Sequence, residues 1–146
     1  MRRLADGGRR VVVTGGHGEL ALCAAVAGQP RPEVLNLAGR TGLAALAEVL
    51  AAADVVVCGN TGPAHLAAAV DTPVVSLFAP VVPAVRWRPW KVAHALLGRQ
   101  DAPCAGTRAR ECPVPGHPCL DGVEPGEVVA AIDAMLAGTT PQEVRP

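Results

Sequence analysis

Short aliphatic runs alternate with helical segments across connections of only a few residues, and that alternation leaves few topologies open. RRVVVT (9–14), VLNL (34–37), DVVVC (54–58) and PVVSLF (73–78) read as strands. Between them, Glu19 to Ala27 reads as a helix, and Leu43, Leu46 and Leu50 mark one apolar face of a second, up to about Ala52. His65–Val70 reads as a shorter one. Parallel neighbours need a crossover, and a strand–helix–strand unit closes with a right-handed turn. The expected fold is α/β, a single Rossmann-like doubly wound parallel sheet. Strands buried on both faces of such a sheet are aliphatic; the chain is 50% hydrophobic yet only 2% aromatic.

After Phe78 the pattern breaks. Residues 79–90 (APVVPAVRWRPW) are Pro-rich and irregular, Lys91–Leu97 reads as a last strand, and 98–124 shows no periodicity. A structureless stretch of that length is unusual in a compact domain. Pro125 opens a final helix with Val128, Val129, Ile132, Met135 and Leu136 on one face. The expected organisation is one domain over residues 1–138 and a flexible tail over 139–146. The opening RRLADGG has the form of a last helical turn with a glycine stop, as though something had preceded it. Thirteen basic residues cancel 13 acidic ones, which argues against bulk electrostatic binding of nucleic acid or anionic lipid. No apolar run reaches a membrane span and no signal peptide precedes the first strand, so a cytoplasmic protein is expected.

Two glycine-rich elbows follow strands. In TGGHGEL (14–20), Gly16, Gly18 and Ala21 match the relaxed dinucleotide pattern G-x-G-x-x-A. That pattern wants an acidic residue ending the next strand, and Glu33 comes before it. A plain tight turn, or Glu19 meeting a ribose hydroxyl, are the other readings. In GNTGPAHLAAA (59–69), Gly62 frees the backbone, Pro63 suits a first helical turn, and Asn60 or Thr61 can cap it. First-turn amides around Ala64–Leu66 then stand beside His65, which the helix dipole favours as a neutral hydrogen bonder. An anion site and a plain capped core helix both fit.

The chain has 5 cysteines. Cys23 and Cys58 sit in apolar segments and read as buried thiols. Cys104, Cys112, His117 and Cys119 offer a weak tetrahedral metal set that lacks a C-x-x-C knuckle; a disulfide or free thiols are the alternatives. Trp87 and Trp90 are expected to anchor the irregular loop, and His94 to be a partly exposed strand residue.

Taken in order, TGG..E and then LAGRTGLAALAEVLAAADVVVCGNTGPAHLAAAVDTPVVSLFAP resemble glycosyltransferase family 9, the heptosyltransferase-like enzymes, from about Val11 through Trp90. The resemblance implies the C-terminal, donor-binding half of a GT-B enzyme. Its donor is a nucleotide sugar, ADP-heptose in the best-known members, used in building cell-envelope glycans. By family pattern, backbone amides at Thr61, Gly62 and the following turn, with His65, hold the diphosphate, and Asn60 and Pro63 belong to the same donor-binding elbow. Glu19 binds the ribose, Gly15 and Gly16 belong to the same donor-binding set, and the backbone around Ala38–Thr41, with Gly39, Arg40 and Thr41, lines the adenine pocket. Transfer is inverting, needs no cofactor or metal, and takes its general base from an acceptor-binding domain that has no counterpart here. The implied partner is that domain, on a separate chain, and the implied location is the cytoplasm, at the inner face of the membrane; a cleft face left exposed without that domain would favour self-association. Two departures stand out: Asn60 replaces the Asp of many relatives, and FAPVVP (78–83) replaces F-G-P-T-D-P, while Arg86-Trp87 keeps the family's R-W. A non-catalytic remnant or regulatory module with the same fold is the competing reading, and an NAD-binding module a third.

Overall fold

The computed structural model describes residues 1–138, so the expected tail lies outside the described residues. Strands β1 (Val11–Val13), β2 (Val34–Asn36), β3 (Val56–Gly59), β4 (Val74–Leu77) and β5 (His94–Leu97) all pair in parallel. Helices α1 (Arg2–Asp6), α2 (Leu20–Ala27), α3 (Leu43–Ala51), α4 (Gly62–Ala69), α5 (Ala84–Trp87) and α6 (Pro125–Leu136) alternate with them. The α/β class and the parallel pairing are as expected. The strands form two ladders, β1–β2 and β3–β4–β5, where a single sheet was anticipated. Short crossovers dictate the direction of each pairing; they say nothing about whether successive pairs join one ladder. The chain groups correspondingly into two compact units, Met1–Val49 and the remainder from Leu50.

In the first unit, α1 ends on the expected glycine stop. Gly8 takes φ +77, its N–H donates to the Ala5 carbonyl at 2.9 Å, and the Arg9 N–H donates to that of Leu4 at 3.1 Å. This is a Schellman closure, which needs a residue without Cβ strain at that point. The core here is small: Val13, Cys23 and Ala38, with Met1, Ala27 and Val34 against them. Strand alternation turns the register partners Val12 and Leu35 outward. The expected apolar face of α3, whose last residues belong to the second unit, is only partly realised, since Leu50 is buried but Leu43 is 75% exposed.

In the second unit β4 is central, and Val74, Val75 and Ser76 are all fully buried because both faces are covered. Helix α4 contributes Ala64 and Ala67, small enough to bring its backbone close to β3 and β4. On α6 the buried residues are Ala131, Ile132 and Met135, while Leu136 points outward against expectation. Residues 98–124 are irregular, as expected, yet tied down. Arg99 N–H donates to the Cys119 carbonyl, Gln100 Nε2 to the Phe78 carbonyl, and Gly106 and Arg108 N–H groups to those of Pro80 and Val81, all at 2.8–3.0 Å. The tryptophans are not the anchors: Trp87 and Trp90 are exposed, and Pro89 between them is fully buried. Among the described residues no helix is long and apolar enough to cross a membrane.

Candidate functional site

The first unit gathers Gly15, Gly16, Glu19 and Gly39 just beyond the carboxyl ends of β1 and β2. The Leu37 N–H donates to the Val13 carbonyl and that of Gly39 to Gly15, each at 2.8 Å, so the two turns are stitched together past the ladder. Glycine is required twice. A Cβ on Gly15 would run into Cys23 Sγ, and Gly39 combines φ +69 with a Cβ position only 3.0 Å from Leu20 Cδ2. Glu19 folds back on its own turn: its Oε2 accepts the Gly16 N–H at 2.7 Å while its N–H donates to the Gly16 carbonyl at 3.0 Å. The result is an exposed carboxylate held in a fixed place. Arg40 and Thr41 continue from Gly39, with the Arg40 N–H turned back to the Leu37 carbonyl at 3.0 Å. Little favours the dinucleotide pattern, because Ala21 at its close-packing position is exposed and Glu33 lies within 3.7 Å of Arg31.

In the second unit the elbow 59–65 leaves the carboxyl end of β3 and enters α4, which begins at Gly62, three residues before the expected start at His65. Pro63 lies in the first turn, where a missing N–H costs nothing. Neither expected side-chain cap forms. Asn60 is occupied elsewhere: its Nδ2 donates to the Ala79 carbonyl at 3.3 Å and its Oδ1 accepts the Ala79 N–H at 3.4 Å. Asn60 thus clips the ends of β3 and β4 together, using both halves of an amide. Thr61 donates its hydroxyl (3.5 Å) and its N–H (2.9 Å) back to the Gly59 carbonyl. Of the amides expected to be free for anion binding, that of Thr61 is therefore engaged and that of Ala64 donates to the Thr61 carbonyl at 3.0 Å, which leaves Gly62, at the uncapped helix start, without an intrahelical partner.

His65 lies on the exposed side of the first turn, its ring edge-on to Trp87 with centroids 6.4 Å apart. Both line a cavity of about 690 Å³ together with Pro83, Arg86 and Arg108. Sequence reasoning had noted Arg86 only through the R-W pair and missed Arg108. No local signal marks Arg108; it arrives through the hydrogen bonds that tie its loop to Pro80 and Val81. The FAPVVP departure also finds a physical reason: Ala79 and Val81 pack against the buried cluster of Ala102, Cys104 and Cys119.

Cys104, Cys112, His117 and Cys119 line a second cavity of about 300 Å³. All five cysteines are free thiols, and among the described residues no group of three or more Cys, His, Asp or Glu is arranged to hold a metal. Cys104 and Cys119 are buried whereas Cys112 is exposed, its Sγ–H donating to the Val114 carbonyl at 3.1 Å, so the four do not converge. Burial and the adjacent Cys104 thiol push the Cys119 thiol up.

Over residues 1–117 the chain matches the family model for glycosyltransferase family 9 (heptosyltransferase). The chain belongs to glycosyltransferase family 9. It is 30% identical over 139 residues to lipopolysaccharide heptosyltransferase 3 of Escherichia coli, covering 91% of this chain and 39% of that protein. Against lipooligosaccharide heptosyltransferase 2 of Campylobacter jejuni subsp. jejuni serotype O:2 it is 27% identical over 104 residues, 71% of this chain and 32% of that one. The crystal structure of the glycosyl transferase family 9 from Veillonella parvula DSM 2008 shares the fold, with a TM-score of 0.78 at 18% identity over 93% of this chain and 39% of that chain. The family 9 chain described here thus spans roughly a third of the length of the curated relatives it matches.

Proposed function

We propose that this family 9 chain is the donor-binding part of a glycosyltransferase, holding a nucleotide sugar of the ADP-heptose type during inverting transfer to an acceptor hydroxyl. One observation carries the reading. An uncapped helix start follows a sheet strand at its carboxyl end, with His65 beside it on the rim of a cavity of about 690 Å³. Ligands of open α/β sheets bind at such strand ends, and helix starts favour anions.

In the proposed reaction the acceptor oxygen bonds to the anomeric carbon as the bond from that carbon to the diphosphate breaks. The electron pair leaves with the diphosphate. Fixed donors at Gly62 and His65 meet that growing charge without having to reorganise. Separately, within the first unit, the Gly16-bound carboxylate of Glu19 is proposed as a ribose contact, with Gly39, Arg40 and Thr41 toward the base. The general base belongs to the acceptor-binding part, outside the residues matched here.

Isothermal titration of the chain with ADP and ADP-sugars tests this directly. Binding is expected, with affinity lost when His65→Ala and Glu19→Ala are combined. A chain that binds neither ligand, or binds them equally well with both substitutions, ends the proposal and favours a non-catalytic module.

A further inference from the structure

We propose that Arg86 and Arg108 form a two-pronged clamp on the donor's diphosphate, so that this chain itself supplies the counter-charge for the leaving group. The proposal rests on the nucleotide-sugar reading above. Arg86 comes from α5 and Arg108 from the irregular segment, and the two guanidinium-bearing residues line one cavity with His65, Pro83 and Trp87. Among the described residues no acidic one lines that cavity. Arg31 pairs with Asp6 and Glu33, and Arg99 with Asp101, but among the described residues neither Arg86 nor Arg108 has a carboxylate partner. Two unpaired cations brought to one concavity repel each other, and an anion there relieves the repulsion.

The backbone adds a second, independent sign. Arg108 sits at φ +56, a left-handed conformation that is uncommon for a residue with a Cβ. It is held there by its N–H on the Val81 carbonyl at 2.8 Å and by the neighbouring Gly106 N–H on the Pro80 carbonyl at 2.9 Å. Asp71, Lys91 and His117 also take positive φ, but none of them lines this cavity. Strain of this kind persists where the surroundings over-determine it, and here it falls on a residue that supplies charge to the cavity.

A guanidinium presents a planar fork that matches phosphate oxygens in pairs. Two forks suit two adjacent phosphoryl groups; a monophosphate satisfies one fork and leaves the other unpaired. The chemical class selected is therefore a diphosphate, with the uncapped Gly62 amide and the His65 ring as further hydrogen-bonding partners. As the glycosidic bond breaks, both guanidiniums neutralise charge that the ground state spreads more widely.

The test is titration of the full chain with ADP, AMP and inorganic pyrophosphate, with circular dichroism confirming that each variant folds. ADP and pyrophosphate are expected to bind, and AMP about tenfold more weakly than ADP. Arg86→Gln and Arg108→Gln should each weaken both diphosphates by about tenfold or more, the scale of one charge-assisted contact. Arg108→Lys should fall between the wild type and Arg108→Gln. Arg110→Gln, on the same segment but lining the other cavity, should leave binding unchanged. Folded Gln variants that bind ADP as the wild type does would overturn the clamp while leaving the donor reading intact. Pyrophosphate binding that both arginines control, without any preference for ADP over pyrophosphate, would uphold the clamp and sink the nucleotide reading. A wild-type chain that binds no diphosphate overturns both.

Discussion

Asn60→Asp is the smallest change that separates a structural amide from a ligand-binding carboxylate at the elbow. Asn60 Nδ2 donates to the Ala79 carbonyl at 3.3 Å while its Oδ1 accepts the Ala79 N–H at 3.4 Å. An aspartate keeps the accepting half and places an oxygen against the Ala79 carbonyl where the donor had been. Both bonds are long, so each contributes at the lower end of the usual range, about 0.5–1 kcal/mol. Losing one and adding oxygen–oxygen repulsion, partly offset by a charge-assisted bond from the Ala79 N–H, destabilises the variant by about 1–2 kcal/mol near neutral pH. In a chain of 146 residues that is a fall of roughly 3–6 °C in Tm.

The pH dependence has a definite sign. A protonated aspartate carries an O–H that restores the second bond, so folding favours the protonated form and raises the introduced carboxyl above its unfolded value near ~4. The variant's deficit is smallest below that value and grows as pH rises through the folded one, because the unfolded chain then loses its proton first. Urea denaturation followed by far-UV circular dichroism, compared between pH 3.5 and pH 7 for both proteins, measures it. A variant as stable as the parent at both pH values would refute the clip. A gain in ADP affinity would instead return position 60 to the binding residues.

Two further perturbations probe other parts of the molecule. Gly15→Ala forces a methyl into Cys23 Sγ and is expected to cost about 1–3 kcal/mol as overpacking; in a denaturation cycle, adding Cys23→Ala should recover much of that loss, and simple additivity would contradict the contact. Burial pushes the Cys58 thiol up from 9.0 to about 11. Alkylation should therefore label the exposed Cys112 at mildly alkaline pH and Cys58 only as pH approaches that higher value. The unfolded chain releases the Cys58 proton first, so stability is unaffected below pH 9.0 and falls as pH rises toward about 11. Cys58→Ser should remove that component of the alkaline loss in a pH series of urea midpoints.

Much of this was legible because it is local. The aliphatic runs with short crossovers dictate parallel pairing, and Gly8 closes α1 through hydrogen bonds to residues within one turn. Gly62-Pro63 announces a helix start, where the Gly62 amide has no interior partner. The family resemblance, carried by those same residues, holds over residues 1–117. Capping was misjudged for a non-local reason: the Asn60 amide is taken by Ala79, which lies 19 residues away. Loop anchoring went astray too: in 79–90 Trp87 and Trp90 are exposed and Pro89 between them is buried, while residues 98–124 are ordered by Ala102, Cys104 and Cys119 against Ala79 and Val81.

The class of the fold, the direction of its strands, its family and the elbow that ends at His65 therefore follow from the order of the residues. Tertiary structure alone decided that the strands form two ladders, that Asn60 is a clip, and that Arg108 meets Arg86 and His65 at one cavity. The physical reason is range. Turn, cap and periodicity signals act within a few residues. The meeting of Arg86 with Arg108 depends on backbone hydrogen bonds and apolar packing between distant segments, and no periodicity records those.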